Sequence, residues 1–216
     1  MNSRKQGKGL GIKNISGIIL AGGKSSRFGV NKAVKKTNSG RLLIEFVIEA
    51  LSEFCNEIVI AGLNSPFLCS FNVIRIVSDE PGLEGPIAGA IPALRLAKND
   101  ICAIVGCDMP FINPRLFKNL VSELNKSDAL ICVPEKNGLM EPLHAVYSRR
   151  TLPMFISYAE GGGSSLTGFI KRLHESTGVF YRYTPEKREN GISDPFFNIN
   201  TEKEFEFFEN YCQNGV

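Results

Sequence analysis

Residues 20–32 read L-A-G-G-K-S-S-R-F-G-V-N-K and gather two adjacent glycines, two serines, Arg27, Gly29 and Lys32. Glycines such as Gly22 and Gly23 let the main chain approach a phosphate or a base closely, with N–H groups turned inward. Arg27 offers a planar fork to phosphate oxygens, and Lys32 a compact point charge. That combination suits a nucleoside triphosphate. Two other glycine loops fail on spacing. Gly23-Lys24-Ser25 ends like a P-loop, but the glycine needed five positions earlier falls on Ile18. The G-x-G-x-x-G fingerprint fails because the glycines are adjacent. A polar surface turn is the bland alternative, and the length and placement of the run favour the phosphate cradle.

A second candidate follows the most hydrophobic segment, I-C-A-I-V-G at 101–106, which runs into Cys107-Asp108-Met109-Pro110. An aspartate at the tip of a central strand is costly unless something positive meets it. Mg2+ is a natural partner, because it shares one or two carboxylates with phosphate oxygens. The alternative is an N-cap or turn role. The next helix, however, is better capped by Asn113 with Pro114 as its first residue. Asp108 is thereby left for chemistry. His144 offers a proton donor in principle but is read as a hydrogen-bonded structural residue, and His174 as surface. Cys107 is read as packing.

The elements that must position these groups follow from periodicity. Residues 15–21 are apolar, β-branched and stopped by glycine, which predicts a buried parallel strand ending at the cradle. Residues 33–40 are polar and read as loop. A helix is expected over 41–54, from Leu43, Val47, Leu51 and Phe54, then strands over 57–61 and 73–77. Residues 67–71 are ambiguous. The glycine-rich run 82–89 leads into an apolar helix, with Pro86 at a first helical position and a break near Ile91 because of Pro92. Further helices are expected over 114–126, 149–158 and 165–174, and strands over 129–134 and 178–183. The stretch 138–147 is expected to return antiparallel across the site. Residues 161–163 read as a glycine hinge, and 184–194 as a polar loop. Thr201 and Glu204 form a capping box that starts a last helix from Glu202 to about Tyr211. Strands alternating with helices predict a three-layer α/β fold, a mainly parallel sheet with crossover helices that is Rossmann-like, with its ligand at the carboxyl ends of the strands.

Composition bounds the function classes. The chain has 216 residues, 43% hydrophobic and 22% charged, which fits one ordinary globular domain over 15–216. Its net charge is +3, but residues 1–14 carry Arg4, Lys5, Lys8 and Lys13 without an acid, and read as a disordered basic tail. Without them, 21 basic residues face 22 acidic ones, a net of −1. No basic patch for nucleic acid follows from that balance. No segment is apolar for long enough to cross a membrane. Six cysteines show no C-x-x-C pair or zinc spacing, as expected of reduced thiols in a cytoplasmic protein.

In these motifs the chain resembles the nucleotidyltransferases built on a GT-A-like fold, whose signature runs L-A-[GA]-G-x-S-x-R-[MF]-G-x-x-K. The glycine pair, G-P-I-A-G at 85–89, C-D-M-P at 107–110 and F-x-N-I-N-T at 196–201 resemble most the molybdenum cofactor guanylyltransferase branch. The resemblance spans about residues 15–211. It implies transfer of GMP from GTP to the phosphate of molybdopterin, with Mg2+ and release of pyrophosphate. Other molybdenum cofactor biosynthesis proteins are the partners it implies. Leu20, Ala21 and Gly22 would present main-chain groups to guanine, and Asp79 would lie on the nucleotide side rather than serve only as a turn residue before Pro81. Arg27 is expected on the leaving phosphates, Lys32 near the α-phosphate and Asp108 on the metal. Asn198 and Asn200 would face the metal or the second substrate, unless one of them merely shapes an Asx turn. One position departs from the family: its asparagine after the second strand aligns with Ala61. Either Asn64 substitutes from a shifted loop or one nucleotide contact is missing. Two alternatives remain: a sibling cytidylyl- or sugar-nucleotidyltransferase, and a catalytically weak nucleotide-binding adaptor.

Overall fold

The structure, a computed structural model, describes residues 14–22, 32–63, 74–173, 178–182 and 194–214. Arg27, Gly23, Asn64, residues 67–71, His174 and the tail 1–13 lie outside them.

The strands are β1 (Ile15–Leu20), β2 (Glu57–Ala61), β3 (Ile74–Val77), β4 (Ile101–Gly106), β5 (Ile131–Lys136), β6 (Leu139–Met140), β7 (His144–Ser148) and β8 (Gly178–Arg182). They form one eight-stranded sheet, ordered β3-β2-β1-β4-β7-β5, with β6 on β5 and β8 also on β5. The pairs β1–β2, β1–β4, β2–β3 and β5–β8 are parallel. β7 runs antiparallel between β4 and β5, as expected of a strand returning across the sheet.

The helices are α1 (Leu43–Ser52), α2 (Gly85–Leu96), α3 (Pro114–Lys126), α4 (Leu152–Glu160), α5 (Leu166–Leu173) and α6 (Glu202–Asn214). Period-two alternation along the strands feeds two cores and makes the three layers. Ile15, Ile19, Ala103 and Val105 face α1 and α3. Ile18, Val59, Cys102 and Ile104 face α2, α4 and α5. β4 is buried between β1 and β7 and is the central strand. A third cluster, Leu43, Ile199, Phe205 and Phe208, docks α6 onto α1.

Two predicted caps are present. Asn113 Oδ1 accepts from the Arg115 N–H at 2.9 Å and the Leu116 N–H at 3.4 Å. Thr201 Oγ1 accepts from the Glu204 N–H at 3.3 Å, while Glu204 reaches back to the Asn200 N–H at 2.7 Å.

Several expectations need correction. α2 does not break at Pro92; it runs unbroken from Gly85 to Leu96, with Pro86 second rather than first. Pro92 cannot donate to the Ala88 carbonyl, and the Glu80 N–H takes that place at 2.8 Å, so no acceptor is stranded. Residues 33–40 are more than loop. A 3-10 helix spans Lys32–Val34, and Lys36 bridges Leu42. α1 begins two residues after Arg41 because the Leu42 N–H is held by Glu45 Oε1 at 2.7 Å. The segment 149–158 is a 3-10 turn, Arg149–Thr151, followed by α4. β5 is shifted to 131–136, where its end pairs with β6, and α6 continues past Tyr211 to Asn214.

Candidate active site

The parallel strands β1, β2, β3 and β4 end on one edge of the sheet, at the point where the strand order reverses around β1. Open α/β sheets leave a crevice there. Main-chain bonds fix its floor. The Ala21 N–H donates to the Ala61 carbonyl at 2.8 Å, and the Cys107 N–H donates to the Leu20 carbonyl at 3.2 Å. Above this floor lies a cavity of about 780 Å³, lined by Leu20–Gly22, Lys32, Asp79, residues 83–86, Gly89, residues 106–108 and Leu143 among others. Such a volume suits a small-molecule ligand.

Asp79 projects from the end of β3 into a nook of three glycines. A Cβ at Gly62 would lie 2.7 Å from Asp79 Oδ1, and one at Gly89 3.1 Å from it. A Cβ at Gly22 would overlap the same carboxylate. Gly62 also adopts φ +78°, which favours glycine. Partial burial raises the Asp79 pKa above the usual carboxylate range. Asp79 is therefore a wall of the cavity and more than a turn residue.

On the opposite side Lys32, Asp108 and Asn200 meet. Lys32 Nζ donates to Asn200 Oδ1 at 2.7 Å and lies 3.4 Å from Asp108 Oδ2. The carboxylate at the β4 tip is thus met by a cation, as its desolvation requires. Asp108 Oδ1 curls over Gly106, where a Cβ would come within 2.7 Å. The Asp108 carbonyl accepts the Ile199 N–H at 2.9 Å, which fastens the segment 194–200 to the strand tip. Asn198 lies half-buried on that segment, but it is Asn200 that joins the Lys32–Asp108 pair.

The remaining sequence candidates fall differently. Ala61, where the family asparagine would align, is fully buried in the core shared with α2, against Gly89. Burial pushes the Cys107 thiol up to about 12, reinforced by Asp108 and opposed by Lys32, so it packs rather than reacts. His144 is not hydrogen-bonded as expected. It is fully buried between the Phe117 and Phe196 rings, and neither ring nitrogen has a partner among the described residues. Burial lowers its pKa to about 3, so it is a neutral core group that carries no acidic imidazolium proton near neutral pH.

Sequence reasoning missed the lining roles of Leu83, Glu84, Gly106 and Leu143. The first two sit in the glycine-rich run 82–89, and Gly106 directly precedes C-D-M-P. Leu143 was legible only as part of a strand returning across the site. Among the described residues, no helix is long and apolar enough to cross a membrane.

Comparison with known proteins gives this crevice a lineage. Residues 17–176 match the family described as the MobA-like NTP transferase domain. A relative from Desulfosudis oleivorans, named molybdenum cofactor guanylyltransferase, is 32% identical over 89% of this chain and 93% of its own. Among solved structures, molybdopterin-guanine dinucleotide biosynthesis protein A from Archaeoglobus fulgidus superposes with a TM-score of 0.72 at 24% identity, covering 92% of this chain and 98% of that one. 4-Diphosphocytidyl-2C-methyl-D-erythritol synthase from Anaerococcus prevotii shares the fold at 0.68 and 14% identity, covering 94% and 97%. The match runs from within β1 to beyond α5 and takes in Lys32, Asp79 and Asp108, and the chain belongs to the MobA-like NTP transferase family.

Proposed function

We propose that this protein transfers GMP from GTP to the terminal phosphate of molybdopterin, releasing pyrophosphate and forming the guanine dinucleotide form of the cofactor. The observation that carries this reading is the meeting of Lys32, Asp108 and Asn200 at one side of the cavity floored by Leu20–Gly22. The 32% identity to a molybdenum cofactor guanylyltransferase over nearly the whole chain supports guanylyl rather than cytidylyl transfer.

In this reaction an acceptor phosphate oxygen bonds to the α-phosphorus, and the bond from that phosphorus to the β-phosphate oxygen breaks. Its electron pair leaves with pyrophosphate. The protein has little covalent work to do. It aligns the two phosphates and balances charge. Leu20–Gly22 and Asp79 form the side for the nucleoside, where bare main chain leaves room for a flat base and the Asp79 carboxylate, seated in the glycine nook, offers it an acceptor. Lys32 is assigned to the α-phosphate, whose charge it would neutralise, and Asn200 aims its ammonium. Arg27 is assigned to the leaving phosphates and Asn198 to the acceptor side, on sequence grounds. The enzymes that build molybdopterin supply the acceptor and are the protein partners this reading implies.

The residues present fit Mg2+. Asp108 supplies one carboxylate, a hard donor, through Oδ1, since Oδ2 and the Asn200 amide oxygen face the Lys32 ammonium. Magnesium takes one or two such groups and leaves its other positions to phosphate oxygens and water. When bound, it would neutralise phosphate charge and polarise the α-phosphorus.

A thermal-shift panel with GTP, CTP, UTP and ATP tests the reading. With magnesium, GTP stabilises the fold most, by mass action. Pyrophosphate release then requires molybdopterin. Equal shifts with CTP and GTP would remove the guanylyl assignment.

A further inference from the structure

Pro92 sits inside α2, far along the chain from Asp79, and lines no part of the cavity. Its effect is nevertheless directed at the loop that carries Asp79. A proline in a helix has no N–H for the carbonyl four residues back, and its ring pushes that carbonyl outward. Here the carbonyl is that of Ala88, and it accepts the Glu80 N–H at 2.8 Å. Glu80 is the residue next to Asp79.

The other bonds of Glu80 are also made to α2 or to its approach. Its carbonyl accepts the Leu83 N–H at 3.3 Å, and its carboxylate accepts from Arg95 at 3.0 Å. Glu80 thus clasps the loop between β3 and α2 to the helix. The neighbouring Asp79 carboxylate rests against Gly22, Gly62 and Gly89 while facing the cavity. Leu83 and Glu84, held by the same clasp, continue the cavity wall.

We propose that Pro92 is a positioning residue for Asp79, acting by freeing the Ala88 carbonyl to hold the Glu80 N–H. This rests on the reading that the Asp79 side of the cavity receives the nucleoside of GTP. A residue with an N–H at position 92 lets the helix straighten and turns the Ala88 carbonyl back along its axis. Glu80 then loses its main-chain anchor, and Asp79 gains freedom. The helix gains by the change, because an interior helical proline is unfavourable, and this gain offsets the small void left by the buried ring. The two consequences have opposite signs: a more stable helix and a weaker nucleotide site.

The test compares the full chain with two variants, Pro92→Ala and the α-hydroxy analogue of alanine at 92, which has the same side chain and no N–H. Three quantities are read: GTP affinity with magnesium, melting without ligand, and hydrogen exchange of the Glu80 amide. Pro92→Ala should melt at the same temperature or higher, lose Glu80 protection and weaken GTP binding about five- to tenfold, the worth of one net hydrogen bond. Its turnover at saturating GTP should stay within about twofold, since Pro92 touches no reacting group. The hydroxy analogue should keep the parent affinity. Equal weakening by both variants would overturn the proposal, since it would make the proline ring the cause. Unchanged Glu80 exchange in Pro92→Ala would overturn it as well. Asp79→Asn is the control for the underlying reading. If that variant binds GTP like the parent while Pro92→Ala still frees the Glu80 amide, the clasp exists and the nucleoside assignment of Asp79 is what fails.

Discussion

The Ile199 N–H donates to the Asp108 carbonyl at 2.9 Å, so the last segment before α6 is pinned to the tip of the central strand. One residue further on, Asn200 holds the Lys32 ammonium. The same short segment therefore fixes the residue bearing the candidate metal-binding carboxylate and the cation beside it. The docking of α6 through Phe205 and Phe208 onto Leu43 keeps that segment in place.

Asn200→Ala removes the acceptor that aims Lys32 and leaves the main-chain bonds of the segment intact. A hydrogen bond to a charged group is worth about 1.5–3 kcal/mol, so turnover should fall about ten- to a hundredfold. GTP affinity should change less. Steady-state kinetics check this, and an unchanged kcat would remove Asn200 from the transfer centre.

Asp108→Asn keeps the shape of the side chain and removes its charge. Pyrophosphate release should collapse at saturating magnesium and GTP. The lost pair with Lys32 is partly exposed and 3.4 Å long, so stability should drop by about 1 kcal/mol or less. Melting without ligand, beside activity, separates the roles. A destabilised but active variant would defeat the metal assignment.

Gly106→Ala places a Cβ within 2.7 Å of Asp108 Oδ1 and must displace that carboxylate. Small misplacements at a transfer centre cost up to about a hundredfold in rate. Turnover should fall at least about tenfold with GTP binding largely kept. Retention of full activity would mean that the carboxylate position is not critical.

His144 links stability to pH. Its folded pKa is lowered to about 3 by burial, against 6.5 for an ordinary histidine. The unfolded chain therefore binds the extra proton between those values. Its contribution is fully present above about 6.5 and is lost as pH falls, at up to about 1.4 kcal/mol per unit. Asp194 pulls the imidazole the other way, and the raised carboxylates Asp79 and Glu141 favour the fold on acidification. The interval from pH 6.5 down to about 5 belongs mainly to the histidine. Urea unfolding at pH 7 and pH 5 should show a loss of about 2 kcal/mol that His144→Leu largely abolishes. An equal loss in the variant would assign the slope elsewhere.

What the sequence made legible was whatever short-range chemistry decides. Asn113-Pro114 and Thr201-x-x-Glu204 announce helix starts because the cap and its target lie within a few residues. The alternation in β1 and β4 announces two buried faces. Asp108 and Lys32 were recognisable by residue type and position, but their meeting with Asn200 is long-range and only the fold creates it. The errors have the same cause. Pro92 argues for a break on local grounds, and its carbonyl vacancy is filled by Glu80, twelve positions away. His144 predicts a hydrogen bond by type, yet the surrounding Phe117 and Phe196 come from α3 and the closing segment and offer none. Asp79 is expected on the nucleotide side from the resemblance, whereas its seat among Gly22, Gly62 and Gly89 comes from three separate segments and only the fold creates it.

The bond from Lys32 to Asn200 joins residues 168 positions apart. A growing chain carries the floor of the crevice, Leu20–Gly22, and the tip at Asp108 long before residue 200 has been made. The nucleoside half of the cavity can therefore take shape during synthesis, whereas the transfer centre waits for the final stretch. On the function proposed above, a nascent or C-terminally clipped chain should bind GTP with the lysine no longer aimed by Asn200, and should turn it over poorly.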